Sequence, residues 1–550
     1  MSATVCTAAS LEEALRQAHR VALRTGLPVP VSWVQPWVGA GPDQLWSLLH
    51  GPWGARLAPR VRLRMWGWEQ PPVQPGPVEL VAAGACARFD AGGPGRFALL
   101  RRSWEGWRKR LVVFREPAGT AGDGGQQAAE ALAWPVPALW VGGFAFAPGA
   151  ESLQAGDAGD PGRACRACRA CPVSPQWQEF GDARFWWPEL LWAWCGPSGW
   201  LAVAGWVQPD SDPEELVRAW QARVQAVHLP PGCHPSRTPP GSLPVAGSGP
   251  DGLPGNLPSG APAGSALRLD ESALAGWTER VQSALREIAC GRLGKVVLGA
   301  CLQAESERPF DPVRLWQALA QQLSRGCVFA VEPGSACFAG ATPERLACVQ
   351  GDRVLTGALA SSAPAPPERL QGGLPLLPHS EEDGLQHPKQ LHEHQVVVGA
   401  VRASLQAVCR ELEAADRPRV VPAGPLQHLY TPVRGRLRPG TTIWEVVERL
   451  HPTPAVAGEP REAALAWLAR HEGLQRGWYS GGLGWVDGEG QGEFWVALRC
   501  GLVEGRRATL FAGCGIVEQS DPAAEQAELR LKYQVMLRAL AQAAGGGERR

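Results

Sequence analysis

A long stretch rich in Pro, Gly and Ser interrupts the middle of the chain. It begins at Pro230 with the run PPGCHPSRTPPGSLPVAGSGPDGLPG. A segment of this composition cannot bury enough apolar surface to offset the entropy lost on ordering it. The composition therefore predicts a linker or surface loop over residues 231–265, which divides the chain into residues 1–230 and residues 266–545.

Charge and hydropathy restrict the classes of partner. Lys plus Arg number 53 and Asp plus Glu number 53, so no net field attracts nucleic acid or an anionic membrane. Apolar runs stay shorter than the roughly 18 residues of a membrane span. The first thirty residues include Glu12 and Glu13 and do not resemble a targeting signal. We expect a cytoplasmic protein that acts on a small molecule, without a nucleic-acid or membrane partner, and the oligomeric state stays open.

The fifteen cysteines are spread irregularly, which indicates reduced thiols rather than a disulfide framework. Cys165, Cys168 and Cys171 differ, because two-residue gaps separate them within a Gly- and Arg-rich insert at residues 149–172. This spacing can hold zinc or an iron–sulfur cluster, but the triplet is a short repeat and no fourth ligand is evident. The sequence favours a low-complexity insertion and leaves metal binding there open.

Helical spacing of apolar residues predicts helices in the C-terminal half. One helix is expected from the apolar spacing over residues 274–288, and it should end at Gly291. A second is expected from a stripe that comprises Val397, Val401, Leu405, Val408 and Leu412.

A last helix should begin after Asp521, a suitable N-cap, with Pro522 at its first position. Glu525, Glu528 and Lys532 follow at spacings of three and four, so they share one face. A charged face is usually solvated, and this spacing alone does not decide its function.

Alternating apolar residues predict strands between these helices. In GKVVLGACL, beginning at Gly294, alternation places Lys295, Val297 and Gly299 on one face. The turn at residues 351–352 predicts a hairpin. The other strands are expected at residues 344–350, 353–360, 482–486, 493–503 and 508–512.

Six motifs follow one another between residues 294 and 532. They are GKVVLGA at 294–300, FAGATPERL at 338–346, KQLHEHQVVV at 389–398, LHPTPAVAGEPREAAL at 450–465, RGWYSGGLGWVDGEGQGEFWVALR at 476–499 and AGCGIVEQSDPAAEQAELRLK at 512–532. In this order they resemble the chorismate-utilising enzymes, most closely isochorismate synthase, and an ordered set is more specific than any single motif. The N-terminal half matches more weakly, through VGGFAF at 141–146, and resembles the divergent front half of the same fold.

The resemblance implies an α+β fold in which large antiparallel sheets are layered with outer helices around a central cleft. In that family, water adds to one ring carbon of chorismate and a hydroxyl leaves another, which requires a base and an acid. The resemblance assigns the base to Lys295 and the acid to Glu344. A Lys serves as base, and a Glu as acid, only where the surroundings shift the pKa towards neutrality. Taken singly, Lys295 would be read as a strand-end lysine that reaches solvent and Glu344 as a turn residue after Pro343; only the matched motifs favour the catalytic roles.

Chorismate is a dianion, and the resemblance implies that Mg²⁺ neutralises part of its charge. Glu393 and Glu528 match the family's metal ligands, and Glu525 matches an acidic residue that orients metal-bound water. Gln390 stands where relatives often have Glu, which removes one water-mediated contact.

Arg499 and Tyr479 match the family positions that bind the second carboxylate of chorismate, and the resemblance implies that role here. A guanidinium forks onto a carboxylate, and a phenol adds a donor. Lys532 matches the family's lysine one turn past the metal-binding Glu and is expected to add positive charge nearby. Gly513 and Gly515 are expected to let backbone N–H groups approach the substrate, although a sheet edge that needs no side chains would explain them equally well.

Three positions depart from the family pattern. Ala300 replaces the Arg that often ends the first motif, Ala457 replaces a Gly, and Ser361 stands where a Gly is usual. None of these changes removes an expected catalytic group. Ser361 has the greatest expected effect, because a side chain beside the cleft could crowd the ring or move the backbone.

These residues predict a Mg²⁺-dependent isochorismate synthase, an isomerase that serves quinone (menaquinone or phylloquinone) or siderophore biosynthesis without a glutaminase subunit. The alternatives are salicylate synthase, component I of anthranilate or aminodeoxychorismate synthase, and a non-catalytic chorismate-binding protein. The ammonia-using synthases typically carry Gln in place of Lys295. Ala455 occupies a position that is commonly Ala in isochorismate synthases and Thr in salicylate synthases, so the enolpyruvyl arm should stay attached.

Overall fold

The computed structural model describes residues 4–227 and 267–544, apart from gaps at 8–9, 38–39, 52–53, 68–77, 116–137, 148–176, 196–197, 324, 365–387 and 424–425. The insert at residues 149–172, with Cys165, Cys168 and Cys171, and the linker at residues 231–265 lie outside the described residues. Their predicted character stays a prediction.

Helices occur in both halves of the chain. They are α1 (Leu11–Thr25), α2 (Pro42–Leu49), α3 (Arg96–Arg108), α4 (Pro213–Val227), α5 (Trp277–Ala289), α6 (Pro312–Gln322), α7 (Pro388–Gln406), α8 (Ile443–Leu450), α9 (Arg461–His471) and α10 (Pro522–Ala544). No helix in these described ranges is both long enough and apolar enough to cross a membrane.

Strands make up most of the remaining described chain. In the N-terminal half they are β1 (Thr4–Thr7), β2 (Val29–Pro36), β3 (Arg60–Trp66), β4 (Val78–Ala83), β5 (Ala87–Ala91), β6 (Val112–Arg115), β7 (Leu139–Phe144), β8 (Ala183–Trp187), β9 (Leu190–Cys195) and β10 (Ser198–Val207). In the C-terminal half they are β11 (Leu267–Asp270), β12 (Lys295–Ser306), β13 (Gly326–Glu332), β14 (Cys337–Thr342), β15 (Arg345–Gln350), β16 (Arg353–Pro364), β17 (Cys409–Ala414), β18 (Arg419–Ala423), β19 (Leu426–Leu437), β20 (Gly458–Glu459), β21 (Gly482–Asp487), β22 (Gly492–Val496), β23 (Cys500–Glu504) and β24 (Arg507–Ile516).

These strands form two large sheets. The first has the order β1-β6-β2-β10-β9-β4-β3-β13-β14-β23-β24-β12-β11, with β20 beside β12. The second has the order β17-β19-β16-β15-β22-β21-β7-β8-β5, with β18 beside β19. Pairing is antiparallel except where β6 lies parallel to β1 and β2. The predicted α+β architecture with large antiparallel sheets is confirmed.

Both sheets join the two halves of the chain. In the first sheet, β3 pairs with β13, so that Leu63 lies opposite Phe329. In the second, β7 pairs with β21, so that Val141 lies opposite Trp485. Each half therefore supplies strands that complete the hydrogen bonding of the other.

Tryptophan fills much of the space between the layers. The largest side chains with less than 2% exposure are all Trp, and they include Trp107, Trp140, Trp187 and Trp444. The ring of Trp107 lies 5.6 Å from Trp140 and 5.6 Å from Trp187, and Trp140 lies 6.4 Å from Trp444 of the C-terminal half. Such tilted and edge-on contacts bury large apolar area with defined geometry, so they fix the two halves against each other.

Two predicted elements differ from the structure. The expected helical stripe ends early, because α7 stops at Gln406 and Leu412 lies in β17, paired with β19. The expected strand over residues 493–503 is broken into β22 and β23, because Arg499 takes a left-handed conformation with φ of 49°. Tertiary pairing in the first case and a required backbone turn in the second override the local pattern.

Candidate active site

A cleft lies where β12 and β24 of the first sheet meet β16 of the second, under α7 and α10. All eleven residues predicted for the site line this cleft: Lys295, Glu344, Glu393, Ala455, Tyr479, Arg499, Gly513, Gly515, Glu525, Glu528 and Lys532. They come from separate elements between β12 and α10, so the tertiary fold brings them together. Their individual roles stay predictions.

Lys295 begins β12, and its side chain is buried in the cleft. Its Nζ donates to Oε1 of Glu393 on α7 at 2.8 Å, and the two side chains are 2% and 14% exposed. Val297 follows on the same face and also lines the cleft. The facing residue Gly515 leaves room for this pair, since a Cβ there would lie 2.6 Å from Oε1 of Glu393.

Glu344 follows Pro343 at the corner between β14 and β15. Its carbonyl oxygen accepts a hydrogen bond from Val496 at 2.9 Å, which fixes the corner. Burial raises the pKa of Glu344 to about 7, while the charges of Lys295 and Lys532 act in the opposite direction. The residue thus holds a proton near neutral pH, as a general acid requires.

The charged face of α10 points into the same cleft. Nζ of Lys532 lies 2.8 Å from Oε1 of Glu528 and donates to the carbonyl oxygen of Gly513 at 2.7 Å. Burial alone would lower the pKa of Lys532, but the carboxylate of Glu528 raises it, so the ammonium is retained. The predicted N-cap is also present, because Oδ2 of Asp521 accepts from the backbone N–H of Ala524 at 2.8 Å.

Three side chains on and beside α10 could hold a cation. One donor atom each from Cys514, Glu525 and Glu528 lies within 4.8 Å of the others. Burial raises the pKa of Cys514 well above its usual value, so this thiol stays protonated. The two carboxylates, with Glu393 across the cleft, are therefore the groups that could hold a cation, and hard oxygen ligands of this kind suit Mg²⁺.

Arg499 and Tyr479 lie at another side of the cleft. Nη1 of Arg499 donates to the carbonyl oxygen of Ala423 at 2.6 Å, and burial lowers its pKa to about 10. The ring of Tyr479 stacks on Phe511 with 5.3 Å between centroids. A Cβ at Gly513 would lie 2.8 Å from the Tyr479 hydroxyl, so this glycine is needed for a close side-chain approach.

The family model of chorismate-binding enzymes matches residues 256–541, just over half of the chain. The chain belongs to the chorismate-binding enzyme family. Its resemblance to isochorismate synthases is also confirmed by individual relatives. A salicylate biosynthesis isochorismate synthase from Pseudomonas aeruginosa is 41% identical over 298 residues, which cover 52% of this chain and 59% of that protein. Isochorismate synthase MenF from Bacillus subtilis is 32% identical over 382 residues, which cover 68% of this chain and 72% of the relative.

Solved structures show the same chorismate-binding enzyme fold. The menaquinone-specific isochorismate synthase MenF from Escherichia coli has a TM-score of 0.63 at 22% identity, covering 96% of this chain and all of that one. Anthranilate synthase component I from Streptococcus pneumoniae has a TM-score of 0.57 at 17% identity, covering 85% of this chain and 93% of the other. At these identities the likeness establishes the fold alone.

One cleft residue of this chorismate-binding enzyme was missed by the sequence analysis. His428 lies on β19, and its Nε2 accepts from Nη2 of Arg499 at 2.6 Å. Arginine only donates, so the ring proton is on Nδ1, which lies 3.1 Å from the carbonyl oxygen of Ser361. Burial, together with Arg499 and Lys532, lowers the pKa of His428 well below its usual value, so the ring is neutral. The sequence did offer one indication of this residue, because His428 is a polar side chain within the otherwise largely apolar strand LQHLYTPV.

The three departures from the family pattern lie in different places. Ala300 and Ala457 are buried and are not among the described residues that line the cleft. Ser361 does line the cleft, at a bulge of β16 where the register with β19 shifts, and its φ is 62°. The left-handed backbone conformation at residue 361 explains why Gly is usual at this position, since Gly adopts a positive φ without strain. The side chain turns towards α7, where its hydroxyl donates to the carbonyl oxygen of Gln390.

Proposed function

We propose that this chorismate-binding enzyme is an isochorismate synthase, an isomerase that converts chorismate reversibly to isochorismate. One observation carries the proposal. Lys295 and Glu344 are both buried in a single cleft, and Glu344 has a pKa of about 7. A buried acid beside a separate amine provides the two proton carriers that addition of water and loss of hydroxide require.

Each proton carrier has a defined task. Protonated Glu344 donates its proton to the departing ring hydroxyl, which leaves as water. Lys295 takes a proton from the water that attacks the ring. An ammonium has no lone pair to accept a proton, so Lys295 must first release its own proton to solvent, and its ion pair with Glu393 must be broken, before turnover.

We further propose that Glu393 and Glu528 hold Mg²⁺, with Glu525 orienting metal-bound water. The donor set fits this ion, because the cleft supplies carboxylate oxygens and its one nearby thiol, Cys514, is protonated. When bound, Mg²⁺ supplies positive charge that neutralises one carboxylate of chorismate.

The other carboxylate is assigned to Arg499 and Tyr479. Two of the five guanidinium N–H donors of Arg499 already bind Ala423 and His428, which hold the group in one orientation. The remaining donors can fork onto the carboxylate. Lys532 adds a retained positive charge to the cleft.

Purified protein incubated with chorismate and Mg²⁺ tests the activity. We expect a mixture of chorismate and isochorismate that is also reached from isochorismate, with little pyruvate, separated by liquid chromatography. Lys295→Met should lose roughly a hundredfold or more in kcat. The Lys295→Met, Glu393→Gln double variant should recover stability without recovering kcat, because it no longer buries an unpaired carboxylate.

Other products would identify the rival activities. Stoichiometric pyruvate with fluorescent salicylate would establish a salicylate synthase, against the argument from Ala455. Turnover only with added ammonia would establish an anthranilate or aminodeoxychorismate synthase, and binding of chorismate without any product would establish a non-catalytic protein. We propose a role in quinone or siderophore biosynthesis, because the relatives include a MenF protein and a salicylate biosynthesis enzyme. A cytoplasmic location is a separate proposal.

A further inference from the structure

Ser361 occupies a backbone conformation that disfavours a serine. Its φ of 62° lies in the left-handed region, where a Cβ is strained and glycine is not. The residue is 5% exposed, at the bulge of β16 that faces α7. A side chain kept in such a position is a candidate for a function that glycine could not perform.

The hydroxyl of Ser361 reaches two oxygen atoms of α7. Oγ lies 2.7 Å from the carbonyl oxygen of Gln390 and 3.2 Å from Oε2 of Glu393. Its single proton therefore has one acceptor on the helix backbone and one on the carboxylate. The side chain thereby ties the start of α7 to the bulge.

The two oxygens of Glu393 have different partners. Oε1 accepts from Lys295 at 2.8 Å and lies against the backbone of Gly515. Oε2 faces the hydroxyl of Ser361. When Oε1 changes its partner, as the base role of Lys295 requires, Ser361 still restrains the carboxylate through the second oxygen.

We propose that Ser361 is a positioning residue that fixes the carboxylate of Glu393 and thereby sets the affinity of the cleft for Mg²⁺. This inference rests on the proposed assignment of Glu393 as a metal ligand. Hydrogen bonds to the outer oxygen of a ligating carboxylate hold it in the binding orientation. A glycine at position 361 would leave that oxygen free to rotate.

Isothermal titration calorimetry with MgCl₂, without chorismate, tests the proposal. Ser361→Gly and Ser361→Ala should each weaken Mg²⁺ binding by about tenfold, since both lose the hydroxyl. Thermal unfolding separates this effect from strain. Ser361→Gly should have a Tm equal to or above that of the wild type, and Ser361→Ala should not exceed it, because only glycine relieves the left-handed strain.

Ser480 supplies a matched control. Its φ is 60°, it also lines the cleft, and its described contacts do not include Glu393. Ser480→Gly should therefore keep the wild-type Kd for Mg²⁺. An unchanged Kd in both Ser361 variants, an equal loss in Ser480→Gly, or a wild type that binds no Mg²⁺ would each overturn the proposal. A wild type that binds Mg²⁺ but does not convert chorismate would instead refute the proposed function, and the titration would still decide the role of Ser361.

Discussion

The side chain of Glu344 links burial directly to a pH dependence. Its pKa of about 7 arises mainly from burial and is opposed by the charges of Lys295 and Lys532. Because the acid acts only while protonated, kcat should fall as pH rises through about 7. Glu344→Gln keeps the shape but has no proton to give, so its kcat should be roughly a hundredfold lower. A kcat–pH profile of both proteins measures this, and a variant whose only defect is a weaker Mg²⁺ affinity would refute the acid role.

The same residue predicts a change in stability. The pKa of Glu344 in the folded state lies above the ordinary value of 4.5, so the fold favours the uncharged form. Its contribution is greatest below pH 4.5 and is lost as pH rises to about 7. Glu344→Gln should therefore gain Tm relative to the wild type between pH 5 and pH 7.5. A constant Tm difference over this range would show that the carboxyl is not buried as described.

At the scale of residues, all eleven positions that the motifs predicted line the cleft, because each lies in a segment that resembles the family. They could not predict the partners. Lys295 and Glu393 are 98 residues apart, and no local pattern indicates that they form an ion pair. His428 was missed for the same reason, since its hydrogen bonds are to Arg499, between β22 and β23, and to Ser361 on β16.

Helix α10 presents its acidic residues to the cleft as a unit, so its charge can be tested one residue at a time. Glu528→Gln exchanges an anionic ligand for a neutral one and should raise the Mg²⁺ concentration needed for half-maximal activity by about tenfold or more. Glu518→Gln, in the exposed loop before the helix, should leave the requirement unchanged. Equal Mg²⁺ activation curves for the two variants would remove α10 from the metal site.

At the scale of elements, the local pattern succeeded where apolar spacing, a turn or a capping residue marks the element in its own sequence. It predicted α5, the β15–β16 hairpin and the start of α10. It failed where neighbours decide the conformation. Leu412 continues the helical spacing of α7, yet pairing with β19 makes its segment a strand. Arg499 interrupts an apolar run because its side chain must reach Ala423 and His428.

The two sheets make the halves of the chain interdependent, which can be tested by truncation. Residues 266–545 alone would expose the edges of β13 and β21, which pair with β3 and β7 in the full chain. Unpaired edges of apolar strands associate readily. We expect this fragment to elute as aggregate in size-exclusion chromatography and to lack activity. Co-expression with residues 1–230 should restore both a non-aggregated protein and its activity. A monomeric, active fragment would refute this interdependence.

At the scale of the molecule, composition predicted a linker between two halves, which stays a prediction, and it could not show how the halves combine. Alternation identifies a strand without naming its neighbour. Contacts between tryptophan rings join the two halves, since Trp140 and Trp444 come from opposite halves and pack in one core. Only the tertiary structure shows which rings meet.

The pairing of β7 with β21 also governs when the molecule can fold during synthesis. Val141 and its partner Trp485 are 344 residues apart, the difference between their positions. At ribosomal speeds of about 5 to 20 residues per second, β7 waits roughly 20 to 70 seconds for the strand that completes its edge. Contacts between such distant residues also form slowly after release. In a living cell, nascent copies should therefore depend on chaperones that shield β3 and β7, and overexpression at lower temperature should increase the soluble yield.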